Sequence, residues 1–185
     1  KVPSNIVVVI DEAYNEYLDS AIQYDSVEWV KKYPNLLVSR TFSKAYGLAG
    51  LRVGFGLAQP ELTDLLNRIR QPFNVNTLAQ AAAVAALNDK DFLEKSARIN
   101  ADGYRFLTGS FREMGLEYVP SHGNFVLVKV GEDDGAGLRI NLELLKKGII
   151  VRPVNAYGLP KWLRISIGLP EENQAFVRAL KEILA

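Results

Sequence analysis

Val7-Val8-Val9-Ile10-Asp11-Glu12-Ala13-Tyr14 and Ser39-Arg40-Thr41-Phe42-Ser43-Lys44-Ala45-Tyr46-Gly47-Leu48-Ala49-Gly50-Leu51-Arg52-Val53-Gly54 decide how this chain is read. The first opens as a short β-branched run, Ile6–Ile10, of the kind that suits a parallel-sheet strand buried on both faces. It ends abruptly in acidic and aromatic residues. The second starts from another strand candidate, Leu36–Ser39, and also runs straight into polar residues. Between them Ser26–Lys32 reads as a short helix closed by Tyr33-Pro34. Strand, helix and strand at this spacing form a βαβ unit and imply an α/β fold. In open α/β sheets, ligands bind at the carboxyl ends of the strands. Asp11, Tyr14, Thr41, Ser43 and Lys44 all fall there.

Outward from this core, Arg52–Leu57 is a third strand candidate among Gly47, Gly50, Gly54 and Gly56. Pro60 suits the first turn of a helix whose apolar stripe is Leu62, Leu65, Leu66 and Ile69. Thr77 and Gln80 make a capping-box pattern ahead of Ala81–Leu87, and a long helix runs from about Asp91 to Glu113. The last third reads as a small α+β domain. Its strand candidates are Leu116–Val119, Phe125–Val130, Ile149–Arg152 and Trp162–Ile167. Leu138–Lys147 is a helix with Gly148 at the cap, and a final helix from Pro170 carries Phe176, Leu180, Ile183 and Leu184 on its apolar face. The domain reading is therefore 1–90 as part of a larger domain, 91–114 as a linking helix and 115–185 as the small domain.

Composition narrows the chemistry. The 185 residues include 22 basic and 21 acidic side chains, with 48% apolar residues. Such a chain buries about 70% of its unfolded surface and needs no staples. The absence of cysteine excludes a disulfide framework, a Cys-ligated zinc and a thiol nucleophile, and the single His122 leaves no His cluster for a metal. Neither half has the basic excess of a nucleic-acid binder. The longest apolar runs, Ile6–Ile10 and Ala81–Leu87, fall far short of the roughly 20 residues of a membrane span. No nucleic-acid partner, no membrane partner and a cytoplasmic location are the expectations.

Taken singly, each polar residue has an ordinary reading. Asp11 could cap a helix, Lys44 could be solvated, and Arg52 could be a structural ion pair. Together they suggest more. Burial favours a neutral, nucleophilic lysine able to form a Schiff base. A carboxylate on the neighbouring strand suits a protonated pyridine nitrogen, and an arginine among glycines offers a fork to a phosphate.

The two blocks quoted above resemble the fold-type I pyridoxal-phosphate-dependent aminotransferases. So do Gly148-Ile149-Ile150-Val151-Arg152-Pro153, Tyr157-Gly158-Leu159-Pro160 and Leu163-Arg164-Ile165-Ser166-Ile167-Gly168, and the likeness covers essentially the whole chain. It implies a mostly parallel large-domain sheet with helices, of which only the back part is present, followed by a small α+β domain. It implies pyridoxal 5'-phosphate as cofactor, held covalently by Lys44. Asp11 would pair with the ring nitrogen, Tyr14 with the ring oxygen, and Thr41, Ser43 and Arg52 with the phosphate. Arg164 would grip a substrate carboxylate, Arg152 a carboxylate or phosphate, and Asn124 would lie near the substrate or order its loop. The partners implied are a small amino donor and a 2-oxo acid, L-histidinol phosphate and 2-oxoglutarate first among them, in a homodimeric enzyme. An aromatic amino acid transaminase or an aminophosphate decarboxylase shares most of these motifs, and a non-catalytic packing module is the reading from a different class. The family also draws a phosphate-binding loop, a stacking aromatic, an asparagine and a partner-subunit tyrosine from an earlier segment. The first residue here is Lys1 rather than Met. The expectation is a C-terminal portion with an incomplete site and no turnover of its own.

Overall fold

A computed structural model describes residues 2–185. The chain divides into two compact units, residues 1–96 and Ala97–Ala185.

In the first unit, β1 (Val8–Asp11) and β2 (Leu36–Thr41) run parallel, with Val8 opposite Leu36 and Asp11 opposite Ser39. The connection between them contains α1 (Ser26–Lys32), whose ends match those read from the sequence. Asp25 caps it by accepting hydrogen bonds from the Val27 and Glu28 amides, which answers two of the orphan donors of the first turn. β3 (Gly54–Leu57) adds antiparallel to β2, giving the order β1-β2-β3. It starts two residues later than Arg52, because Arg52 takes a left-handed backbone, φ 53°, that breaks the extended run. Gly54 sits where a Cβ would come 2.6 Å from the Arg40 carbonyl oxygen, so the close pairing with β2 requires glycine.

One face of this sheet packs. Val38 and Leu36 bury against Val30 of α1, with Val8, Ile10 and Leu57 partly covered. The other face is open at β1, where Val9 is exposed. The expectation of a strand buried on both faces is thus corrected: in this unit the sheet is covered on one side. α2 (Pro60–Ile69) also departs from expectation, since Leu65, Leu66 and Ile69 of its apolar stripe are exposed. α3 (Thr77–Asn88) is capped by Asn76, whose side chain accepts from the Ala79 amide at 2.8 Å, and not by Thr77.

The second unit is an antiparallel sheet in the order β4-β5-β7-β6. Its strands are β4 (Tyr118–Val119), β5 (Phe125–Lys129), β6 (Arg152–Val154) and β7 (Leu159–Ser166). The strand expected over Ile149–Arg152 begins only at Arg152, and β4 is shorter than Leu116–Val119. The core gathers Val126, Val128, Leu163 and Ile165 from the sheet. It takes Leu107 and Phe111 from α4 (Lys90–Glu113), Ile140 and Leu144 from α5 (Ala136–Lys146), and Phe176 and Leu180 from α6 (Pro170–Leu184). The alternation within β5 and β7 sends Leu127 and Arg164 to the opposite face. Gly115 and Gly148 both have positive φ just past helix ends, as the cap reading expects. Val177 joins Phe176 and Leu180 on the buried face of α6, while Leu184 is exposed.

Gly137 allows α5 to lie directly on β7. A Cβ there would sit 2.6 Å from the Pro160 carbonyl oxygen and 3.0 Å from that of Trp162. Both neighbours are backbone and cannot turn aside. Gly137→Ala is expected to destabilise the second unit by roughly 1–3 kcal/mol, the usual cost of overpacking. Urea unfolding of the variant beside the parent chain measures this, and an unchanged midpoint would show that the helix can slide.

Candidate active site

Alternation along two adjacent strands builds the first cluster. Asp11 and Thr41 project on the open face, and Glu12 and Arg40 on the packed one. Asp11 ends β1, where its Oδ1 accepts from the Ala13 amide at 3.1 Å and from the Ser39 hydroxyl at 3.4 Å. The carboxylate is therefore fixed by its own turn and by the neighbouring strand.

Beyond β2 the chain turns through Phe42, Ser43 and Lys44. Thr41 Oγ1 accepts from the Ser43 amide at 3.1 Å. Arg52 Nη1 donates to the Ala49 carbonyl at 2.9 Å and to Ser43 Oγ at 3.4 Å. Lys44 is exposed, with Nζ 5.4 Å from the centre of the Tyr14 ring. So Asp11, Tyr14, Thr41, Ser43, Lys44 and Arg52, six residues spread over about 40 positions, share one end of one sheet.

What holds this turn is a small core beneath it. Phe42, Val53, Ala79 and Ala83 are buried together, with Tyr46, Leu48 and Leu51 against them. Phe42 also meets the Tyr46 and Phe55 rings at centroid distances of 4.9 and 5.7 Å. The sequence between Ser43 and Arg52 looks like a loop, yet its alternate apolar residues nail it to α3.

Sequence reasoning passed over Glu12 and Arg40. Arg40 Nε donates to Glu12 Oε2 at 2.8 Å, and the Glu12 side chain is wholly buried. The signal was present: each adjoins a site residue and the alternation puts both on the opposite face. Glu16 lies nearby, and burial holds its carboxyl above the ordinary carboxylate range against the pull of Arg40.

In the second unit Arg152 and Arg164 are direct cross-strand partners on β6 and β7. Like charges facing across a ladder repel. Neither forms an ion pair with a carboxylate among the described residues, and Arg164 Nε is buried without a hydrogen bond. The Arg164 guanidinium lies 5.2 Å from the centre of the Phe125 ring. This is a cationic pair suited to an anion. Asn124 precedes β5, and its carbonyl accepts from the Ile167 amide at 2.8 Å, while Asn100 Nδ2 donates to the Gly123 carbonyl. His122 lies in the same bend and is exposed. Among the described residues no acidic or histidine cluster could hold a metal ion, and no helix is long and apolar enough to cross a membrane.

Residues 2–180 match the family model for aminotransferase class I and II. The chain belongs to this family. It is 71% identical over its whole length to a histidinol-phosphate aminotransferase of Ralstonia nicotianae, of which it covers 50%. It is 67% identical to one from Cupriavidus pinatubonensis, covering 49% of that protein. The crystal structure of histidinol-phosphate aminotransferase from Sinorhizobium meliloti in complex with pyridoxal-5'-phosphate superposes with a TM-score of 0.89 at 33% identity, over 99% of this chain and 50% of that one. L-threonine-O-3-phosphate decarboxylase from Porphyromonas gingivalis gives a TM-score of 0.80 at 26% identity, over 97% of this chain and 56% of that one. The chain thus spans about half the length of the curated relatives it matches, and its two α/β units have the fold of these aminotransferases.

Phe42 carries the turn that bears Ser43 and Lys44. Phe42→Ala is expected to cost roughly 3–5 kcal/mol, as large-to-small changes of buried aromatics do, with Phe42→Leu costing less than half as much. Equilibrium denaturation of both variants checks the ordering, and equal losses would mean that the ring contacts, not the buried volume, carry the stabilisation.

Proposed function

We propose that this chain is the lysine-bearing half of a pyridoxal-phosphate-dependent transaminase. The reaction moves an amino group from L-histidinol phosphate to 2-oxoglutarate, giving imidazole-acetol phosphate and L-glutamate in histidine biosynthesis. The observation that carries this is the gathering of Lys44, Asp11, Ser43 and Arg52 at one sheet end, in a chain 71% identical to a named enzyme of that activity.

The donor set fits the cofactor. Arg52 and Ser43 already meet as a cation beside a hydroxyl, the pair a phosphate dianion needs. Asp11 is held by two donors in a fixed orientation. Pyridoxal phosphate, when bound, supplies an electron sink for negative charge developing at the substrate Cα.

The residues then divide the work. Asp11 would hold the proton on the cofactor's ring nitrogen. Tyr14 would donate to the ring oxygen, and Thr41, Ser43 and Arg52 would bind the phosphate. Lys44 would hold the cofactor covalently through Nζ and, as base and then acid, would carry a proton between the substrate Cα and the cofactor C4′. Arg164 binds the carboxylate of the 2-oxo acid. Arg152 binds that carboxylate or the donor's phosphate, and Asn124 orders the loop beside β5.

In this reading residues 1–90 form part of the large cofactor-binding domain, 91–114 link, and 115–185 form the small domain. The complete enzyme is a cytoplasmic homodimer; exposed Leu65, Ile69 and Phe73 are apolar surface of the kind that association covers.

Borohydride reduction of the cofactor-loaded complete enzyme, followed by peptide mapping, is expected to label Lys44. A label on Lys31 or Lys90 would sink the assignment. Arg164→Ala is expected to raise KM for 2-oxoglutarate about 30-fold or more, from the roughly 2–5 kcal/mol that a lost buried charge pair costs. KM for histidinol phosphate, which has no carboxylate, should change far less. Equal effects on both substrates would give Arg164 a structural role.

A further inference from the structure

We infer that Glu12 and Arg40 are a positioning pair. Their buried ion pair, on the face of the sheet opposite Asp11 and Thr41, sets the spacing and orientation of the turns that carry Asp11 and Lys44. The inference rests on the roles given to Asp11 and Lys44 above.

Three observations carry it. The first is placement. Glu12 directly follows Asp11, and Arg40 directly precedes Thr41. Because side chains alternate across a strand, a tie between Glu12 and Arg40 constrains the very backbone from which Asp11 and Thr41 project on the other side. The Glu12 amide also donates to the Ser39 carbonyl at 2.9 Å, and Asp11 Oδ1 accepts from Ser39 Oγ. The two strand ends are thus fastened from both faces.

The second is connectivity. Arg40 donates through Nε to Glu12 and through Nη2 to Ser26 Oγ, at 2.8 and 3.3 Å. Ser26 is fully buried at the start of α1. One guanidinium therefore joins β2, the end of β1 and the helix that connects them.

The third is energetic. A buried ion pair gains little over an apolar pair of the same size, because desolvation offsets the attraction. Glu12 Oε1 is buried with no hydrogen bond of ordinary geometry, although the Tyr24 hydroxyl interacts with this carboxylate. Glu16, half-buried nearby, feels the Arg40 charge without forming an ion pair with it. Stability alone does not account for such an arrangement, and local rules of this sort are broken chiefly where function demands geometry. What an ion pair with a directed guanidinium supplies, and an apolar contact does not, is a fixed direction.

The test uses the complete enzyme with Glu12→Leu and Arg40→Met combined, an apolar pair of similar volume. The double variant is expected to keep its thermal midpoint within a few degrees. Its affinity for pyridoxal phosphate should fall at least tenfold, and the pH midpoint of the cofactor's absorbance band should move. The kcat should drop while KM for 2-oxoglutarate stays put. Amide exchange at Glu12, Ala13 and Ser43, measured without cofactor, should accelerate at least tenfold while Val38 is unchanged. A folded double variant with parental cofactor affinity, absorbance and exchange would overturn the inference. If that variant does not fold, Arg40→Lys keeps the charge but loses the directed Nε and the Ser26 contact. The same losses in affinity and protection are expected of it, and parental values in it would likewise overturn the inference. Failure of the underlying reading shows separately, as a borohydride label elsewhere than Lys44 in the parent enzyme. The cofactor-free exchange data then still decide whether the pair holds the two turns.

Discussion

The parallel pairing of β1 with β2 is the constraint on which the first unit depends. Parallel strands end at the same edge, so whatever follows β1 meets whatever follows β2. With Asp11 opposite Ser39, the carboxylate stands beside the start of the turn that carries Ser43 and Lys44. A slip of one residue would send Asp11 to the packed face and Glu12 to the open one. The apolar contacts of Leu36, Val38 and Val30 forbid that slip, because it would also turn Val8 and Ile10 away from their core.

The turn after β2 has a different support. It is not a flexible loop tethered at two ends but a strap pinned along its length. Phe42 and Val53 lie under it, Leu48 and Leu51 reach the same cluster, and Arg52 closes it by bonding to the Ala49 carbonyl. Arg52 holds a left-handed backbone to do so, a conformation unusual for a residue with a Cβ. Strain of this kind persists where the surroundings over-determine it. Here the surroundings are the buried Val53 on one side and the ladder beginning at Gly54 on the other.

The second unit solves another problem. Its helices α4, α5 and α6 supply the core for one face of the antiparallel sheet, leaving the other face free to carry polar side chains. Arg152 and Arg164 face each other there despite their repulsion. The sheet tolerates this because the cores of β5 and β7 are complete without them: Val126, Val128, Leu163 and Ile165 point the other way.

Much of this was legible in the residues themselves. Ser26–Lys32 reads as a helix closed by Tyr33-Pro34, and α1 has those ends, with the Asp25 cap added by the structure. Gly115 and Gly148 mark helix ends by the same logic, and the apolar run Phe125–Val130 marks a strand that the structure ends at Lys129. The motif after β2 was readable because its residue types at their spacing are specific. Tertiary structure decided the rest. Arg52 cannot be seen to leave the β region until Gly54 is paired with Thr41. The apolar stripe of α2 gives the helix but not its partner, and Leu65 and Ile69 remain exposed. Nothing in the spacing of Glu12 and Arg40, 28 residues apart, announces a bond. Periodicity records which way a side chain faces along its own element. Which distant residue waits on that face depends on how the elements are brought together, and that is settled by the packing of the whole unit.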